Sequence, residues 1–212
     1  WTNTVFVTPW WMKTWGKYFR EDCEIHLLYL KEGETVLGLA PLRSRGGSMY
    51  FIGNSDVCDY TDFLVPRGRE EQFYSKLWGY IESADVRILD LKSVPVGSPT
   101  LDYIPALAKQ SCCTVSLEIE DQSPVINLPS TWENYLSGLT KKNRHELRRK
   151  LRRLERTENI VHCSNSNVEM IDHELKDFIR LLQESSLDKA AFMTAEREGF
   201  FIDIAREMSA KN

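Results

Sequence analysis

Hydrophobic and polar positions alternate with two different periods along this chain, and the changes of period mark its elements. Thr8-Pro9 precedes a stretch in which Trp11, Trp15 and Tyr18 recur at helical spacing. Threonine can cap a first turn, and proline at the first helical position lacks the donor that would go unpaired there. The pattern predicts a helix to about Arg20. From Glu24 the period changes. Residues 25–30 read as a strand, Lys31-Glu32-Gly33-Glu34 as a turn, and residues 35–42 as the returning strand. Gly46-Gly47 turns the chain again into residues 49–52, so an antiparallel meander is expected. Residues 58–65 form a further strand candidate, closed by Pro66. Residues 69–84 are helical, with Phe73, Leu77, Ile81 and Ala84 on one face. Residues 86–91 read as a short strand of the buried type. Ser98-Pro99 opens a helix that Pro105 kinks or restarts. Residues 115–119 and 125–128 complete the strand candidates.

The later part of the chain is helical in pattern. Ser130-Thr131-Trp132-Glu133 matches an S-x-x-E capping box, which predicts a helix over 131–138. Gly138 breaks it before a long basic helix over 140–157. Residues 160–163 return to strand. Residues 167–186 are amphipathic, with Ile171, Leu175, Phe178 and Leu182 in register. Thr194 caps a last helix that carries Phe200, Phe201, Ile204 and Met208. The fold class is α/β (α+β), a mixed sheet flanked by helices. Three regions follow: an α/β unit over 1–128, a helical connector over 129–158, and a region over 159–212 with too few strands to close a core alone.

Charge changes this picture at one place. Net charge is −4 over 212 residues, but residues 141–156 hold nine Lys/Arg against two Glu, a local +7. The remainder therefore carries −11. Leu147, Leu151 and Leu154 form a stripe along this helix, with Arg144, Arg148 and Arg152 on an adjacent edge. Arg148–Arg152 and Arg149–Arg153 repel at i, i+4 spacing, so helix stability does not account for the charge. Either an acidic surface of the protein neutralises it, or an anionic ligand does. The acidic remainder and the lack of aromatics within the run argue against a nucleic-acid module. No apolar run approaches the ~18–20 residues that a membrane span needs. Five cysteines without C-x-x-C spacing fit a reduced, cytoplasmic protein and no metal site.

Few residues announce chemistry. Asp59 and Asp62 suggest paired carboxylates, but on a strand they face opposite ways and cannot share a substrate. One of them, with Tyr60, can line a substrate cleft; the alternative is a solvated or hydrogen-bonded strand end. Trp10, Trp11 and Trp15 can stack on a sugar or a base, although tryptophans at helical spacing are more often core; Trp10, off the stripe, is the stacking candidate. Arg43-Ser44-Arg45-Gly46-Gly47-Ser48 mimics a phosphate-binding turn, yet it opens a strand rather than a helix and reads as a hairpin turn. Cys58 has no histidine placed to activate it.

Three passages together carry a resemblance. They are T-P-W-W-x-x-x-W over 8–15 with G-L-A-P-L over 38–42, D-Y-T-D-F-L over 59–64, and the segment from I-N-L-P-S-T-W-E through the basic helix over 126–156. In order and spacing the chain resembles the GNAT-superfamily acetyltransferases of the CelD, cellulose-biosynthesis type, distant relatives of the two-lobed FemAB aminoacyltransferases. The resemblance implies acyl transfer from acetyl-CoA or another acyl-CoA to an amine or hydroxyl, with a saccharide or cell-envelope precursor as an acceptor class. It implies a first lobe over 1–128 and the start of a second from 159. It also places the cofactor turn downstream of Asn212, so that the chain alone is expected not to turn over acetyl-CoA. Acceptor-side residues would be drawn from Trp10, Asp59, Tyr60, Asp62, Arg144, Arg148 and Arg152. Under a FemAB-like alternative the three arginines would meet the phosphates of a charged tRNA. A non-catalytic module holding a polyanion on the basic helix is the third reading.

Overall fold

The computed structural model describes residues 4–20, 22–54, 56–157, 160 and 168–210. A 3-10 turn, Val5–Val7, leads into α1, Pro9–Phe19. Thr8 stands at the cap position, but its hydroxyl donates to the Val5 carbonyl at 2.5 Å instead of capping the helix. The strands β1, Glu24–Glu32, β2, Thr35–Arg45, and β3, Ser48–Phe51, form the antiparallel meander that the alternation predicted. Then come α2, Glu70–Ser83, β4, Ile88–Asp90, and α3, Thr100–Gln110. Pro105 lies inside α3 without interrupting it.

Among the described residues the sheet has four strands in the order β1-β2-β3-β4. β4 runs parallel to β3, so β3–α2–β4 is a crossover unit on a mixed sheet. One sheet face presents Ala40, Leu42 and Phe51 to Phe73, Tyr74, Leu77 and Ile81 of α2 and Ile104 of α3. Gly38 permits this approach, since a Cβ there would overlap the Phe73 ring. The opposite face is covered by α1 only at one end, where Ile25 and Ile52 join Trp11 and Trp15. Leu27, Tyr29 and Leu39 remain exposed.

Several strand expectations are corrected. Residues 58–65 are not a strand. Their backbone pairs with β2 through the reciprocal Leu39–Leu64 bonds of 2.9 and 3.0 Å, just past the end of the β3 pairing. The turn at Asn54, whose carbonyl accepts from Val57 and Cys58, and the bonds of Thr61 to Lys92 and Ser93 take up the backbone before it. Residues 115–119 and 125–128 form no strand either. Their β-branched residues have no ladder to join, and Leu117, Ile119, Val125, Ile126 and Leu128 are exposed. In 86–91 only Ile88–Asp90 pairs, as an edge strand with Ile88 exposed rather than buried.

The helices of the later part are α4, Trp132–Gly138, α5, Lys141–Glu155, α6, Val168–Ser185, α7, Leu187–Phe192, and α8, Ala195–Ser209. The capping box is shifted by one residue: Thr131, not Ser130, accepts from the Asn134 N–H. Thr140 and Thr194 cap α5 and α8 in the same way. On α6 the buried positions are Ile171 and Ile179, while Phe178 points to solvent. Residues 161–163, the remaining strand candidate, lie outside the described residues.

The chain divides into two compact units, and the division differs from the sequence boundaries. One unit comprises Trp1–Glu120 with Ser166–Asn212, and the other Asp121–Asn165. Within the first unit α8 packs on α1, so the apolar face at Phe200 and Ile204 is covered rather than left bare.

Candidate functional site

In open α/β sheets ligands bind outside the carboxyl ends of the strands. β3 and β4 end side by side, at Phe51 and Asp90. Between them lies a cleft of about 140 Å3, lined by Arg43, Tyr50, Phe51, Gly53, Asn54, Thr61, Asp90, Lys92 and Ser93.

Arg43 is the most firmly placed of these side chains. It sits on β2 opposite Tyr50 of β3. Its guanidinium lies 4.7 Å from the Tyr50 ring and 5.3 Å from the Trp15 ring. Nε donates to the Phe51 carbonyl at 3.1 Å and Nη2 to the Gly53 carbonyl at 3.4 Å. Among the described residues no carboxylate forms an ion pair with it. Backbone dipoles and aromatic faces thus fix the cation and leave its charge for something else. Gly53 makes the turn possible: its φ is 119°, and a Cβ there would stand 2.9 Å from Cys58 Sγ.

The opposite wall is the loop after β4. Thr61 Oγ1 donates to the Lys92 carbonyl at 2.5 Å, and the Thr61 N–H donates to the Ser93 carbonyl at 3.0 Å. Ser93 adopts a left-handed φ of 57°, and its N–H donates to the Glu120 carboxylate at 2.7 Å. Lys92 Nζ lies 4.0 Å from Asp90. Asn54 Oδ1 is closed off from solvent and accepts no hydrogen bond. The cleft therefore gathers two cations, one carboxylate and hydroxyls. That set can hold a polar or anionic group, with Asp90 at hand to take up a proton.

None of the residues singled out from sequence as site candidates lines this cleft. Thr61 lines the cleft, but its neighbours diverge. Asp59 is exposed and Tyr60 is half-buried, with its ring 6.3 Å from that of Phe6. Asp62 is buried, 2% exposed, among core residues. Its Oδ1 accepts from Thr100 Oγ1 at 2.5 Å and from the Phe63 N–H at 2.8 Å. Burial pushes its carboxyl up, against the lowering effect of the Thr100 and Ser98 hydroxyls. Trp10 is half-buried against the cluster of Trp11 and Phe200. Cys58 accepts from Trp11 Nε1 at 3.2 Å, and burial pushes its thiol up, opposite to what activates a nucleophile. Sequence reasoning missed Asn54, Thr61, Asp90, Lys92 and Ser93, and took Arg43 only as part of a hairpin turn. Their signal was available in the strand–helix–strand pattern of β3–α2–β4, which locates a crevice at the strand ends.

The glycine turns of the described residues are poor cradles for an acyl-CoA pyrophosphate. The turn at Gly46-Gly47 opens β3, and its carbonyls are taken up by Arg87: Nη2 donates to Gly46 O at 3.1 Å and the backbone N–H to Gly47 O at 2.8 Å. Glycine turns do lead into α2, at Pro66-Arg67-Gly68-Arg69, and into α3, at Pro95-Val96-Gly97-Ser98, where Asp102 stands in the first turn. The first turn of α2 already carries Glu70 and Glu71, which oppose an anion there. No three His, Cys, Asp or Glu side chains among the described residues converge to hold a metal.

The second unit offers a different surface. No residue of α5 is buried. Arg144 is committed locally, donating to the Leu136 and Ser137 carbonyls at 3.3 Å, and so ties α5 to the end of α4. Glu146 pairs with Arg149 at 2.7 Å and Lys150 at 3.9 Å. Arg148 and Arg152 are exposed and carry no ion pair among the described residues. No family model matches the chain, and neither a curated protein nor a solved structure matches it.

Proposed function

We propose that the chain is part of an acyl-CoA-dependent N- or O-acyltransferase of GNAT type, in which the unit built on the mixed sheet supplies the acceptor side. The observation that supports this reading is the cleft at the ends of β3 and β4, where Arg43 is held in place yet unpaired by any carboxylate among the described residues. An acceptor bearing hydroxyls or an acidic group matches that lining, which agrees with a saccharide or cell-envelope precursor. Arg43 and Lys92 would bind and orient it, and the hydroxyls of Thr61 and Ser93 would fix its register. Asp90 would receive the proton that the attacking amine or hydroxyl gives up. Bound acyl-CoA would supply the thioester; no residue described here is assigned to it.

The FemAB-like alternative, aminoacyl transfer from tRNA, draws on Arg148 and Arg152, whose charges are unpaired among the described residues. Arg144 is the weakest of the three for that role, because two carbonyls already occupy it. A thiol-release assay with acetyl-CoA and a panel of amine and sugar acceptors, run on the protein from its natural source, tests the main reading. Acceptor-dependent release is expected, falling at least about tenfold in Arg43→Gln, as loss of an orienting cation implies. Absence of release with every acceptor, alongside aminoacyl transfer from charged tRNA, would favour the alternative.

A further inference from the structure

The unit of residues 121–165 combines two properties that a solvated surface does not require together. The first is unpaired positive charge. On α5 and just after it, Lys141, Lys142, Arg148, Arg152, Arg153 and Arg156 have no ion-pair partner among the described residues. The one carboxylate paired with the helix's cations there is its own Glu146. The second is exposed apolar surface. Leu147 and Leu151 are only half-buried, and Leu154, which completes their stripe, is 53% exposed. Val125 is 86% exposed, Leu128 79% and Trp132 48%.

We propose that this unit docks the protein on an anionic lipid surface, with α5 lying in the headgroup layer. A basic helix with a narrow leucine stripe suits that position. Its cations meet lipid phosphates while the stripe enters the acyl boundary, and long lysine and arginine stems reach up from an immersed helix. Six free cations are within the range that gives stable electrostatic adsorption to an anionic leaflet. Two other occupants fit less well. A second copy of the same helix would bring like charges together along the stripe. A nucleic acid would satisfy the cations, but it has no place for the leucines, and the basic run holds no aromatic residue on which a base could stack. The docking surface does not depend on the acyl-transfer reading, since none of the cleft residues belongs to it.

Flotation of the 212-residue chain with vesicles tests the proposal. Binding is expected to phosphatidylcholine vesicles containing about 30 mol % phosphatidylglycerol, and not to phosphatidylcholine alone. It should weaken when salt rises from about 0.1 M to about 0.5 M. Lys141→Gln with Lys142→Gln removes two exposed cations from the first turn, where positive charge does not help the helix. Affinity should fall about fivefold per cation, roughly twenty-five-fold for the pair. Leu154→Ser, at an exposed position, should also weaken vesicle binding. Failure to float with the anionic vesicles overturns the proposal. So does unchanged binding by Leu154→Ser together with displacement of the vesicles by duplex RNA at equal phosphate, which would make the surface a nucleic-acid site.

Discussion

Asp62 shows how much a single position in the D-Y-T-D-F-L passage depends on its surroundings. Its Oδ1 is satisfied twice, but Oδ2 is buried and accepts nothing. The Thr100 hydroxyl that donates to it also contacts the Tyr74 hydroxyl at 2.8 Å, and burial pushes the Tyr74 phenol up as well. A folded carboxyl held above its unfolded value binds a proton more readily in the native state. Its contribution to stability is therefore greatest below the ordinary aspartate range and is lost as pH rises through the folded value. Asp62→Asn keeps an acceptor for Thr100 and Phe63 while removing the charge. This variant is expected to melt above the natural chain at neutral pH, with the gap closing as pH falls toward about 4. Asp62→Ala leaves two buried donors unpaired and should cost about 1–3 kcal/mol at any pH. Parallel melting curves for Asp62→Asn and the natural chain across that range would show that the carboxyl titrates normally. The sequence put Asp62 and Asp59 on opposite faces of a strand; no strand forms there, and the two differ instead in burial, Asp59 exposed and Asp62 enclosed. The sequence could not say which was buried, because that depends on Ser98, Thr100 and Tyr74, which lie far along the chain.

At the scale of elements, the packing of α8 on α1 decides most of what the pattern left open. Phe200 is fully buried and meets the Trp11 ring edge-on at 5.2 Å and the Phe19 ring at 5.3 Å. Gly199 lets the helices close up, since a Cβ there would stand 2.6 Å from the Tyr18 ring. Lys17 Nζ and the Tyr18 hydroxyl reach Asp203 at 2.5 and 2.7 Å, and Arg206 joins Asp203 to Asp172 of α6. The Lys17 ammonium holds the Asp203 carboxyl below its usual range, so this contact is retained above the ordinary aspartate range and lost as pH falls. Phe200→Ala is expected to cost about 3–5 kcal/mol by transfer and cavity terms, read as a drop in the denaturant midpoint. Gly199→Ala should destabilise less, because the Tyr18 ring can shift, but it would sacrifice the hydroxyl's bond to Asp203. A midpoint unchanged by Phe200→Ala would mean that α8 does not pack on α1. The stripe of α1 was legible because helical spacing is local. The buried face of α6 was misjudged by one position, Phe178 for Ile179, because which edge of a broad apolar face turns inward depends on its partner. The β1–β2–β3 meander was legible from its turns. Residues 115–128 were not, since extended propensity does not supply a strand to pair with.

For the whole molecule, the sequence pointed to a break near 159, with helices beyond it lacking a cover. The structure places residues 166–212 in one unit with 1–120 and sets 121–165 apart. The reason is that the cover for α8 lies at the opposite end of the chain, in a helix whose tryptophans read as core without indicating whose core. This arrangement has a consequence for cleavage. Glu118 and Glu120 lie in the exposed, irregular stretch after α3, where backbone without secondary structure admits a protease. A glutamyl endopeptidase should nick there early, with some protection of Glu120 through its bonds to Ser93. The nick separates β1–β4 from α8 covalently but leaves Phe200 and Ile204 against Trp11 and Trp15. The nicked protein is therefore expected to elute at the size of the intact chain in native buffer and to part into two fragments only in denaturant. Truncation to residues 1–120 tests the same contact from the other direction. It uncovers Trp11 and Phe19 and should lower the melting temperature while raising the binding of a hydrophobic dye. If the nicked fragments separated in native buffer and the truncated chain melted like the whole, α8 would not belong to the unit of the sheet, and the division at 159 would stand.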